Sequence, residues 1–290
     1  MKVALRAYLE LLRPPNVVTA VADVLAGYAI AGRWHGSRLP FLLGATACLY
    51  AGGVVLNDYF DRAIDAAERP ERPIPSGRVP ATVAATLGSG LLLAGIILGF
   101  AATRAAGTVA IALAACVLAY DAWVKRHAFA GPVTMGTCRG LNLVLGMAAV
   151  PGAPANHWSL GLLSVAYIAA VTMVSRGEVH GSRRGVAAIA LAVIVSVVAG
   201  LAVVALRSEA WALPALVLTA ALAWRVAPRF VAVYRDPRPA TIRRAVKTGV
   251  LSLVLLDAAL SAAYAGPVYA AIVLASALVA GSLARLFSVT

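Results

Sequence analysis

The chain has 290 residues, 61% of them hydrophobic and only 13% charged, with a mean hydropathy of +0.86. Soluble domains lie nearer half apolar and a quarter charged, so this composition excludes an ordinary soluble fold. The formal charge of +13 does not point to nucleic acid, because the basic residues fall between apolar runs, where the positive-inside rule puts them.

The first thirteen residues are basic and half polar, with no small-residue cleavage pattern, so no secretory signal is expected. Apolar spans then follow at about 16–32, 39–57, 80–101, 105–121, 131–150, 158–175, 185–206, 210–227, 248–265 and 267–287. Most are long enough to cross a hydrocarbon core of ~30 Å. Backbone polar groups in lipid must be satisfied internally, which leaves helices or a closed barrel. The runs are continuous and rich in Ala and Leu, which selects helices. The expected fold is all-α, a multi-pass transmembrane bundle of nine or ten spans in a single domain, 1–290. Gly266-Pro267 divides the last pair into two spans, or into one span and a re-entrant helix. The segment 228–247, with Pro228, Pro237, Pro239 and six basic residues, reads as a cytoplasmic loop with a basic amphipathic turn in contact with lipid headgroups. Eighteen Lys and Arg fall on one side of the spans and four on the other. That asymmetry places the N-terminus and the polar loops in the cytoplasm. Cys48, Cys116 and Cys138 lie in apolar segments without ligand spacing and read as packing residues.

The chain has 12 acidic residues, and five of them (Asp58, Asp61, Asp65, Glu68 and Glu71) begin where the second span ends. On a helix Asn57, Asp61 and Asp65 repeat every four residues, and Asp58 joins them at i, i+3, i+7, so all four share one face. Three carboxylates and an amide oxygen so placed repel one another unless a cation binds. Hard oxygen ligands suit Mg²⁺, which reaches on to substrate phosphates. Arg69, Arg72 and Arg78 follow in a Pro-stiffened loop, and guanidinium groups pair bidentately with phosphate oxygens. This combination points to a diphosphate clamp.

Asn57-Asp58-x-x-Asp61-x-x-x-Asp65, followed by Arg72-Pro73-Ile74-Pro75-Ser76-Gly77-Arg78, resembles the first aspartate-rich signature of UbiA-type intramembrane prenyltransferases. Arg13-Pro14-Pro15-Asn16 is similar to the start of their first helix. Tyr120 through Lys125-Arg126, then Gly131-Pro132, resembles the loop after their fourth span. The resemblance implies a helical bundle around a central cavity, Mg²⁺-dependent ionisation of an isoprenyl diphosphate, and attack by an acceptor. It implies Asn57, Asp58, Asp61 and Asp65 as the metal-binding set, and Lys125 and Arg126 beside Arg72 and Arg78 on the phosphates.

The family carries a second aspartate-rich motif after the sixth span. Here that place reads Ser175-Arg176-Gly177-Glu178-Val179-His180-Gly181-Ser182-Arg183-Arg184-Gly185, with one carboxylate, Glu178. Arg176 and Arg183 are expected to replace a second metal as counter-charge for the diphosphate, with Glu178 a residual ligand or base and His180 an interfacial structural residue or a base. Ser175 to Gly181, together with Cys138-Arg139-Gly140-Leu141-Asn142, resembles the divergent UbiA-like branch associated with the Ebo gene cluster.

Within the spans, Asn16, Thr19 and Asp23 form one stripe, at i, i+3, i+7. An Asp in the membrane tends to face a cavity or a partner. Asn16, Asp23, Tyr120, Arg139 and Asn142 are candidates for an acceptor pocket, or for pairing between helices. Asp121 either orients Lys125 or caps a loop. Asp257 is expected in an interhelical hydrogen bond. The favoured expectation is an enzyme that transfers an isoprenyl group from an isoprenyl diphosphate to a lipophilic acceptor. The alternatives are a non-catalytic carrier of an isoprenoid or aromatic metabolite, and a membrane terpene cyclase.

Overall fold

The computed structural model describes residues 2–33, 36–179, 181–283 and 285. Among the described residues all regular secondary structure is helical, and each of the ten expected spans coincides with helix to within a few residues over its described part. In chain order the helices are α1 (Lys2–Leu12), α2 (Pro14–Ile30), α3 (Leu39–Glu68), α4 (Ala81–Ala102), α5 (Arg104–Ala122), α6 (Ala130–Met147), the short α7 (Ala153–His157), α8 (Gly161–Ser175), α9 (Arg184–Leu206), α10 (Ala212–Arg235) and α11 (Pro239–Leu283). Seven stretches are long and apolar enough to cross a membrane. The chain is therefore a multi-pass membrane protein.

α2 and α6 are the inner helices, with most of their residues buried. They meet where Gly27 faces Gly146: a Cβ on Gly27 would overlap the Leu143 carbonyl oxygen, and one on Gly146 the Val24 carbonyl oxygen. Small residues are what allow membrane helices to approach so closely. Gly146→Ala is accordingly expected to cost about 1–3 kcal/mol, read as a lower thermal midpoint in detergent. An unchanged midpoint would contradict this crossing. Around the pair, α3 packs on α4, α6 on α8, α2 on α11, and α10 on α9 and α11.

α11 is two helical segments meeting at a kink at Gly266, which is non-helical at φ 84° and ψ 177°, so the chain divides at Gly266-Pro267 as expected. That conformation needs a glycine, because a Cβ is excluded there, and Pro267 restarts the helix as a first-turn residue. The segment 228–247 is a correction. α10 runs through Pro228 to Arg235 and α11 begins at Pro239, so only 236–238 are non-helical. Proline forfeits one hydrogen bond inside a helix, and burial of Val226, Phe230 and Val233 on one face of α10 outweighs that loss.

Candidate active site

A cavity of about 370 Å³ opens among α2, α3, α5, α6, α8 and α11. Its walls are largely apolar, from Leu49, Val54, Leu113, Val117, Ile168 and Leu253. Its polar mouth carries Asn57, Tyr120, Asp121, Ser175, Glu178 and Lys247. Deeper in, at ~1.5 Å per helical residue, Thr19, Arg139 and Asn142 interrupt the apolar surface.

The acidic helix keeps its predicted form but divides its oxygens. At 100° per residue, Asn57 and Asp61 lie at one edge of the face, and Asp58 and Asp65 at the other. Each pair meets different cations. Asp58 accepts from Arg13 at 2.6 Å and from Arg72 at 3.3 Å, and Asp65 accepts from Arg72 at 2.8 Å. Both carboxylates are buried. Asn57 and Asp61 instead share Lys125, whose Nζ lies 3.1 Å from Asn57 Oδ1 and 2.7 Å from Asp61 Oδ1. The four oxygens expected around one ion are thus divided between partners: Arg13 and Arg72 neutralise Asp58 and Asp65, and of the four only Asn57 lines the cavity. Among the described residues no three acidic, His or Cys side chains form a closed metal cage. Asn57 at the mouth and Asp61 one turn beyond it remain as two hard oxygens with a cation already between them.

The expected arginine clamp is corrected in the same way. Arg72 ties the 69–80 loop to α3. Arg78 reaches back to Glu10 of α1 at 2.6 Å and to the Glu71 carbonyl at 2.6 Å, outside the cavity. Arg176 donates to the carbonyl oxygens of Lys125 (2.8 Å), Arg126 (3.0 Å) and His127 (3.2 Å). A guanidinium presents several donors in a fixed fork, and this one braces the loop that carries Lys125. Arg183 is exposed at the start of α9, and Arg126 is exposed in the loop after α5. His180 lies outside the described residues. Arg176→Ala is expected to speed amide exchange of residues 124–128 about tenfold or more, from loss of charge-assisted bonds of roughly 1.5–3 kcal/mol. Mass-spectrometric hydrogen exchange reads this, and unchanged protection would remove the bracing role.

Glu178 does face the cavity, across from Asn57. Partial burial raises its pKa from the ordinary carboxyl value, and the nearby Arg69 and Arg243 oppose that shift. Asp121 lines the same mouth, within electrostatic reach of Lys125 and Asp61, and its Oδ2 has no hydrogen-bond partner among the described residues.

The stripe on α2 is inward, as its spacing predicts, but its members differ. Asn16 and Thr19 line the cavity, whereas Asp23 is fully buried behind it. Asp23 Oδ2 lies 3.2 Å from Arg139 Nε and accepts from Asn142 Nδ2 at 2.8 Å. Asn142 Oδ1 in turn accepts from Thr46 at 2.7 Å. The Arg139 guanidinium also lies 5.6 Å from the Tyr50 ring centroid, a cation–π distance. Asp257 approaches Asp23 from α11, but neither of its carboxyl oxygens has a hydrogen-bond partner among the described residues, so the expected interhelical hydrogen bond is not formed.

Sequence reasoning missed two roles at the mouth. Lys247 lines the cavity from α11 and had been counted only as a loop charge. Arg13 takes a left-handed backbone at φ 46° in the break between α1 and α2, which lets its guanidinium reach Asp58. Neither role has a local signal, because each depends on a helix distant in sequence.

The UbiA prenyltransferase family profile matches residues 20–247, well over half of the chain. The chain belongs to the UbiA prenyltransferase family. Among its relatives, the digeranylgeranylglyceryl phosphate synthase of Methanothermobacter thermautotrophicus is 38% identical over 140 residues, covering 48% of this chain and 49% of that protein. The enzyme of the same name from Methanopyrus kandleri is 42% identical over 118 residues, 40% and 42% of the two chains. The chain thus spans about half the length of the curated relatives it matches. Among solved structures, one of a digeranylgeranylglyceryl phosphate synthase superposes with a TM-score of 0.71 at 21% identity, covering 91% of this chain and 99% of that one. A UbiA homologue from Archaeoglobus fulgidus bound to DMAPP and Mg²⁺ superposes with a TM-score of 0.59 at 13% identity, covering 95% and 99%. These likenesses establish the UbiA fold for this family member.

Proposed function

We propose that this UbiA-family protein transfers an isoprenyl group from an isoprenyl diphosphate to an acceptor inside the membrane. The observation that carries the reading is that Asn57, at the polar mouth of an apolar cavity, shares Lys125 with Asp61, one helical turn further along α3. Apolar walls suit a prenyl tail, and the mouth suits a charged headgroup. Mg²⁺ is bound in phosphate-using sites by one or two carboxylates plus waters and substrate oxygens. Asn57 and Asp61 fit that requirement, with Glu178 and Asp121 as further oxygens facing the same mouth. When bound, such an ion supplies Lewis-acid stabilisation of the leaving diphosphate. Lys125 bridges the two oxygens at rest, and in the loaded site it moves its charge to the phosphates. Lys247 adds a second ammonium, and Arg126, in the loop after α5, a third cation. Fixed positive charge at the departing diphosphate favours breakage of the allylic C–O bond. The apolar walls shield the resulting cation from water until the acceptor attacks, and Asn16, Tyr120, Arg139 and Asn142 lie where they can orient that acceptor.

The acceptor class stays open in this proposal. The named relatives are synthases of a glyceryl phosphate lipid, and the segments 138–142 and 175–181 favour the divergent branch associated with the Ebo gene cluster. The charge asymmetry of the loops supports a mouth on the cytoplasmic side. The test is diphosphate release from dimethylallyl, geranyl and geranylgeranyl diphosphates by purified protein, with and without Mg²⁺ and with extracts as the acceptor source. Mg²⁺-dependent release with a prenylated product is expected. Binding of these donors with no release under any condition would replace the proposal with the carrier reading, which the single carboxylate of the 175–185 loop favours. Product formed without acceptor would replace it with a cyclase.

A further inference from the structure

A second cleft, of about 700 Å³, lies outside the catalytic cavity, between the end of α10 and the start of α11. Its rim carries Arg229, Arg235 and Arg244, and its apolar wall carries Trp224 and Ala227. None of the three guanidinium groups makes a hydrogen bond or ion pair among the described residues. The one carboxylate of the cleft, Asp236, is already taken by Arg238 through two 2.7 Å bonds and by the Thr241 hydroxyl at 3.2 Å. Three like charges in one concavity repel one another, and an anion among them relieves that repulsion. The rim is also held in place: the Ser182 backbone N–H donates to the Pro237 carbonyl at 3.1 Å, and Arg243 donates to the Glu178 carbonyl at 3.1 Å. These bonds fix the cleft at the same end of the bundle as the catalytic mouth.

We propose that this cleft is a binding site for an anionic phospholipid, its phosphodiester among Arg229, Arg235 and Arg244 and the top of its acyl chain along Trp224 and Ala227. A lipid, rather than a soluble anion, is favoured by Trp224. Its side chain is 82% exposed and sits about a turn and a half from Arg229 along α10. An exposed indole beside arginines at the end of a spanning helix is the composition of a headgroup-level belt. Basic pockets between such helices recognise anionic headgroups.

The test places the full chain in phosphatidylcholine nanodiscs doped with brominated phosphatidylglycerol, or with the same fraction of brominated phosphatidylcholine. Trp224 quenching is read as the difference between the wild type and Trp224→Phe. Selective quenching by phosphatidylglycerol is expected. The triple variant R229Q/R235Q/R244Q should weaken the apparent affinity on the order of 100-fold, and the matching triple lysine variant should retain it within severalfold. If the triple glutamine variant does not fold, R235Q alone should weaken it about fivefold. Equal quenching by the two lipids, or an unchanged affinity in the glutamine variants, overturns the proposal. Full relief of quenching by millimolar inorganic phosphate also overturns it, in favour of a free-anion site.

Discussion

Asp61→Ala is expected to lower diphosphate release from an allylic donor by about 10²–10³-fold, the loss typical when one electrostatic contact to a developing oxyanion is removed. Asp61 is the carboxylate of the α3 cluster that pairs with Lys125 rather than an arginine, and it shares that lysine with Asn57, which lines the mouth. Its loss removes a metal-binding oxygen and also frees the ammonium that should meet the phosphates. Asp61→Asn separates the two effects, because it keeps an oxygen but not the charge, and an intermediate loss is expected. Asp58→Asn is the useful contrast. Asp58 is held by Arg13 and Arg72, so its replacement should lower the thermal midpoint more than it lowers turnover per folded molecule. Full activity in Asp61→Ala would remove the role given to the mouth.

Arg139→Met is expected to cost about 3–5 kcal/mol of stability, the usual result of stripping one partner from a buried ion pair. Asp23 is fully buried, and its ion-pair partner is Arg139. Arg139 balances that carboxylate in a buried region. The single variant leaves that charge uncompensated. Adding Asp23→Asn removes it, so the double variant should recover at least half of the lost stability. Thermal unfolding in one detergent reads both, and a double variant no better than Arg139→Met would contradict the charge balance.

The spans were legible because lipid exposure demands long apolar runs, and the acidic helix because five carboxylates in a chain so poor in charge stand out. Which cation each carboxylate meets was not legible. Asn57, Asp58, Asp61 and Asp65 fall within about 100° of arc, so spacing alone treats them as one face. Partners brought in from α2, the 69–80 loop and the loop after α5 divide them. Arginine content likewise announced positive charge around the site without saying where it is used: Arg72, Arg78 and Arg176 serve carboxylates and carbonyls of the fold, whereas Lys247 faces the cavity and Lys125 bridges Asn57 and Asp61. The helical course of 228–235 was masked by Pro228 and the arginines after it, since the burial that maintains the helix comes from neighbouring α9 and α11.

The most direct test of the account is a structure of the protein with Mn²⁺ and geranyl thiodiphosphate, which is slow to ionise. Anomalous density beside Asn57 and Asp61, with Lys125 turned from them toward the phosphates and the geranyl chain along Leu113 and Val117, is the predicted result. Headgroup density anywhere other than this mouth, or Lys125 still bridging Asn57 and Asp61 with ligand bound, would contradict it.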